Sequence, residues 1–99
     1  MTSRPLSRSY TALAAFLDGY FHQDFRVEHR TPAGAARAFA RVASDKEQRD
    51  VVRQLRRFID SADEKSPEEW GHALTRIGGA WRPGSLDDLR ELLPILRPE

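Results

Sequence analysis

Apolar positions recur at three- and four-residue steps along most of this chain, the spacing that lines one face of a helix. Tyr10, Leu13, Ala14, Leu17, Tyr20 and Phe21 form the first such stripe, widened by Phe16, and predict a helix from about Ser7 to Tyr20. Gly19 stands near its end, where a glycine costs little. From Phe21 to Arg30 the helical period lapses and Phe25 and Val27 alternate with charged residues. That stretch reads as an ordered loop, with a short strand as the alternative. Thr31-Pro32 then opens a second helix: threonine is a good N-cap, and proline is preorganised for the first helical position. Ala35, Ala36, Phe39, Ala40 and Ala43 make its inner face, small enough to let a neighbouring helix approach closely.

Ser44-Asp45-Lys46-Glu47 has the form of a capping box, in which the serine accepts from an exposed amide while the glutamate reaches back. The third helix it starts should run to about Ala62, with Val51, Val52, Leu55, Phe58, Ile59 and Ala62 on one side. Ser66-Pro67-Glu68-Glu69 starts a fourth in the same manner, with Trp70, Ala73, Leu74 and Ile77 inward and Gly78-Gly79 as its stop. After the loop Ala80-Trp81-Arg82-Pro83-Gly84, Ser85 caps a last helix carrying Leu86, Leu89, Leu92 and Leu93, which Pro94 should break or kink. Trp70 belongs to the core by its place on the stripe; Trp81, in a Gly/Pro loop, is expected to cover the core. The pattern therefore predicts an all-α fold, a compact bundle of about five short helices in a single domain over residues 1–99.

Composition narrows the function. The chain lacks cysteine, which removes disulfides, thiolate metal sites and a cysteine nucleophile. It shows no signal-peptide core and no apolar run long enough to span a membrane, so a cytoplasmic protein without membrane contact is expected. The net charge is +1, so there is no global basic field for nucleic acid. Its distribution is uneven: eleven Lys/Arg against six Asp/Glu in residues 1–57, and five against nine in residues 58–99, giving halves of +5 and −4. Such a dipolar chain can steer a charged partner, although paired charges on helix surfaces produce the same imbalance.

Few constellations point to chemistry. His22, Asp24 and His29 match no strong metal-ligand spacing, His72 stands alone on a helix, and Asp18, Asp24 and Glu28 read as capping or solvated carboxylates. No cofactor, metal, catalytic residue or small-molecule substrate is expected. Arg49, Arg53, Arg56 and Arg57 recur along the third helix and could meet phosphates or an acidic protein surface; with Asp50 and Asp60 nearby, a salt-bridged, solvated face is the plainer account. The acidic half carries Asp60, Asp63, Glu64, Glu68 and Glu69; the last four cluster around the turn between the third and fourth helices, where carboxylates also favour the helix dipole. His22, Gln23 and Asp24 follow two aromatics that could anchor them for a partner, or they simply cap the first helix and fix the loop.

The run Phe16-Leu17-Asp18-Gly19-Tyr20-Phe21-His22-Gln23-Asp24-Phe25 resembles the signature of small contact-dependent growth inhibition immunity proteins: an aromatic pair, then His-Gln-Asp, then an aromatic. The Thr31-Pro32 helix start, the amphipathic helix, the stop at Gly78, the Pro83 loop and the leucine-rich end follow in the same order, so the likeness spans Leu13 to Leu96. The resemblance implies a helical cytosolic protein, not an enzyme, that binds and neutralises a cognate toxin domain. That domain would be the C-terminal region of a large exported protein, often a nuclease. It also implies that a motif shared among inhibitors of different toxins holds the fold, leaving toxin contacts to other surfaces. The cluster Asp63, Glu64, Glu68 and Glu69 is then the preferred docking surface for a basic toxin, with Asp60 of the same acidic half and His22, Gln23 and Asp24 as further candidates. The competing reading is a small helical nucleic-acid-binding or regulatory protein that uses the arginine face.

Overall fold

The computed structural model describes residues 10–22 and 30–97, and among these every regular element is helical. The order is α1 (Thr11–Tyr20), α2 (Pro32–Val42), α3 (Asp45–Ala62), α4 (Pro67–Ile77), α5 (Leu86–Arg90) and α6 (Leu93–Leu96). The expected loop or strand at residues 23–29 lies outside the described residues.

Three helix starts are built from the groups expected. The Thr31 hydroxyl accepts from the Gly34 amide at 3.0 Å. Ser44 and Glu47 satisfy each other's amides at 3.2 Å in a complete capping box. Ser66 accepts from the Glu69 amide at 3.3 Å and its own hydroxyl donates to the Glu69 carboxylate at 3.1 Å. The last expected helix is different. Ser85 occupies the N-cap position of α5 without a side-chain bond, and Asp88 instead reaches back to accept from the Gly84 amide at 3.0 Å. Pro94 does not end a helix there. The break falls at Glu91–Leu92, and Pro94 sits in the first turn of α6, where a missing amide leaves no bond unmade.

The long helix α3 is the spine: α1, α5 and α6 pack on it, α2 packs on α1 and α6, and α4 meets α1. Leu13, Phe16, Leu17, Phe21, Phe39, Val51, Leu55, Phe58, Trp70, Leu74, Trp81, Leu89 and Leu96 belong to one buried cluster, and Trp81 does cover it.

The first helix begins at Thr11, with Tyr10 as its N-cap outside the helical region at φ −131°; the expected start at Ser7 lies outside the described residues. Tyr10 has no capping side chain of its own. Its ring is held edge-on against Phe58 at 6.0 Å, under the Arg57 guanidinium at 4.7 Å. The open amide of Leu13 is met from another helix: Gln54, only 8% exposed, accepts it through Oε1 at 3.0 Å. A helix start leaves four amides without intrahelical partners, and a buried one left unmet costs about 1–3 kcal/mol. Gln54→Leu is therefore expected to lower unfolding free energy by about 2 kcal/mol in a denaturant titration, despite adding apolar surface to a buried position. A stability equal to wild type would deny Gln54 that role.

Candidate functional site

Two surfaces of opposite charge meet on α3. Its C-terminal end and the following turn carry the acidic residues, all exposed. Asp63 caps α3 and is paired: Arg90 on α5 reaches it at 3.0 Å and also binds Asp87 at 2.9 Å. The hydrogen bond to Asp87, with both carboxylates close by, raises the already high pKa of Arg90 and keeps it charged. Glu69 is engaged at the start of α4. Glu64 and Glu68 project with no ion-pair or hydrogen-bond partner among the described residues. Asp60 stands apart from this turn, on the wall of the neighbouring basic groove. The five acidic candidates thus divide into two that serve the fold, two that are open, and one that faces arginines.

That basic groove holds about 410 Å³ and is lined by Arg49, Arg53, Arg56 and Arg57 of α3, by Asp60, by Arg97 after α6, and by Val52 at its floor. The expected salt-bridged face is realised only in part. Asp50 takes Lys46 at 3.1 Å and Arg53 at 3.2 Å, the i,i+4 and i,i+3 pairs that helix geometry allows. The Lys46 hydrogen bond holds the Asp50 carboxyl below its usual range, against an opposing effect of burial, with the charges of Lys46, Arg53 and Arg49 adding to it. Arg97 donates to the Asp45 carbonyl at 3.3 Å, which draws the chain end beside the first turn of α3. Arg49 and Arg56 have no carboxylate within 4 Å among the described residues, although Asp60 follows Arg56 by four positions.

The aromatic motif takes another course. Phe21 is fully buried, stacked on Trp81 at 4.8 Å and edge-on to Phe16 at 5.2 Å. Tyr20 and Phe16 both meet Phe39 of α2, at 5.6 and 4.8 Å. Asp18 accepts from the Gly79 amide at 2.8 Å, so this carboxylate ties the ends of α1 and α4 together. His22 is half-buried beside this cluster, while Gln23, Asp24, Glu28 and His29 lie outside the described residues.

A second groove, of about 270 Å³, escaped the pattern analysis. Phe16, Tyr20 and Phe39 form it with Val42, which is 75% exposed, and Glu47 and Asp50 stand at one rim. Its sequence signal is the small residues Ala12, Ala15 and Ala43, which leave a hollow beside the rings. Among the described residues no three His, Asp or Glu side chains converge as metal ligands, His72 is exposed on α4, and no helix is long and apolar enough to cross a membrane.

Comparison with known proteins gives one family. Its model, described as CdiI immunity protein, matches residues 9–95. No curated protein and no solved structure matches the chain. With the match running from before α1 into α6 and through the aromatic motif, the chain belongs to the CdiI immunity protein family, whose role is immunity against contact-dependent growth inhibition toxins.

Proposed function

We propose that the chain is a single helical module that binds one cognate toxin domain in the cytoplasm and neutralises it by occlusion, without catalysis. The family match over residues 9–95 carries this reading. The toxin is the C-terminal region of a large exported protein, and a nuclease with a basic substrate groove is the class that fits an acidic docking surface. That surface is the turn after α3, with Glu64 and Glu68 making direct contact, Asp63 and Glu69 beside them, and Asp60 one helical turn back toward the basic groove. Charged side chains at the rim of an interface act mainly on the rate of encounter. His22, Gln23 and Asp24 form a second candidate contact, placed in sequence directly after the Phe21 anchor. A standard interface of about 800 Å² per partner would take a large share of so small a surface.

The test is co-expression with the toxin domain encoded beside this chain, followed by purification. Rescue of growth and a one-to-one complex are expected; neither complex nor rescue would overturn the inhibitor reading. Glu64→Lys/Glu68→Lys is expected to slow association about tenfold at low ionic strength, with the difference shrinking as salt is added. An unchanged association rate would remove the acidic turn from the interface and leave the inhibitor reading in place.

A further inference from the structure

We infer that the arginine groove along α3 receives a short acidic segment of the toxin domain, beside the contact made at the acidic turn. This inference rests on the inhibitor reading and adds a second, oppositely charged docking element to it.

The groove is charged well beyond what the fold requires. Five guanidinium groups line it against one carboxylate, Asp60. Arg49 and Arg53, and Arg53 and Arg57, stand at i,i+4 on one helix, where like charges repel. The fold engages three of the five: Asp50 pairs with Arg53, Arg57 lies over the Tyr10 ring, and Arg97 donates to the Asp45 carbonyl. Arg49 and Arg56 have no carboxylate within 4 Å among the described residues and stand about 10 Å apart along the helix axis, two turns at the usual rise. Both are exposed, and Val52 beneath them is buried. A smaller hollow of about 250 Å³, between Arg56, Leu93, Pro94 and Arg97, adjoins it and offers apolar surface to the same ligand.

Two features select a short carboxylate-bearing segment over a nucleic-acid backbone. The basic stretch is brief: Asp60 closes it, and the acidic turn begins one helical turn later, so a longer run of phosphates would be driven onto Glu64 and Glu68. The cations are also all arginines, whose planar forks match carboxylates in paired hydrogen bonds. Together the two surfaces give α3 a positive middle and a negative end. That is a directional code: it fixes the orientation of a partner carrying the reverse order and repels one that does not.

The experiment compares wild type, Arg49→Gln/Arg56→Gln and Arg49→Lys/Arg56→Lys for equilibrium binding to the purified toxin domain at moderate salt. One charge-assisted hydrogen bond corresponds to about tenfold in affinity, so the glutamine pair is expected to weaken binding about 100-fold. The lysine pair keeps the charge, loses the fork, and is expected to fall between. Thermal melting should be the same for all three, since both side chains are exposed. Equal toxin affinity for wild type and the glutamine pair overturns the groove contact while the inhibitor reading stands. Failure of the wild type itself to bind overturns both. A 20-nucleotide single-stranded RNA serves as the competing probe. Wild-type binding to it that falls steeply with salt and vanishes in the glutamine pair would assign the groove to nucleic acid and overturn the inference.

Discussion

Phe21→Ala is expected to cost about 3–5 kcal/mol of folding free energy, the usual range for removing a buried phenyl ring. The ring is fully buried and bridges two layers, stacked on Trp81 of the late loop and edge-on to Phe16 of α1. Its own carbonyl accepts the Ala80 amide at 2.6 Å, so ring and backbone pin the same loop. A chain of this length has only about 5–15 kcal/mol to lose. The variant should therefore melt more than 10 °C lower in circular dichroism and fail to protect cells at growth temperature. Phe21→Leu keeps the apolar bulk and should lose less than half as much. Saturating toxin should restore part of the lost stability, because a ligand that binds only the folded chain pulls the equilibrium toward it. The alternative is a ring that touches the toxin directly. It would show as lost binding in a Phe21→Ala protein whose melting temperature is unchanged.

This places Phe21, at the heart of the most recognisable part of the sequence, in the interior. The Tyr20–Phe25 run is legible as a family signature, yet within it Tyr20 and Phe21 lock α1 to α2 and to the Trp81 loop. Inhibitors of unrelated toxins can share such a lock while differing in what they present outside. What is presented here is polar and lies chiefly on α3, where sequence pattern says least, because exposed charges are compatible with nearly any helix.

The same division holds across the fold. Elements written in a local code were read correctly: Thr31-Pro32, the Ser44–Glu47 box and Ser66-Pro67 act within three or four residues of themselves. What escaped was long-range. The cap of α1 comes from Gln54, 41 positions away, and a glutamine on an amphipathic helix gives no sign of which amide it will meet. Arg90 reaches back 27 positions to Asp63, so an acidic cluster that is uniform in sequence is partly neutralised in space. Asp60 belongs to the same acidic half in sequence, and the helical rotation turns it toward the arginines. The chemistry of Pro94 predicts a break or kink in the last helix; the chain breaks before it and uses the proline in the first turn of α6.

Gly79→Ala is expected to lower stability by about 2–4 kcal/mol, whereas Gly71→Ala should raise it by about 0.5–1 kcal/mol. Both glycines lie in or just after α4, and composition cannot separate them. Gly79 has a φ of 75°, in the left-handed region that costs other residues about 1–2 kcal/mol. A methyl group there would also stand 3.0 Å from the Leu17 carbonyl oxygen, 3.1 Å from the Leu17 Cβ and 3.2 Å from the Phe21 carbonyl oxygen. Those are main-chain atoms or atoms rooted on them, so the neighbour has little room to yield. Relief requires the segment to move away from α1, which stretches the Gly79 amide from Asp18 and the Ala80 amide from Phe21. The clash therefore propagates into the same lock that Phe21→Ala removes, and the two substitutions should combine non-additively in a double-mutant cycle. Gly71 has nothing within 4 Å of an added Cβ and sits inside a helix, where alanine is the better helix former. If denaturant titrations gave both alanines the same sign, the close approach of α1 to the end of α4 would be wrong. Opposite signs would establish that Gly79 does more than end a helix: it is the point where α1 and the Trp81 loop come close enough to bury Phe21.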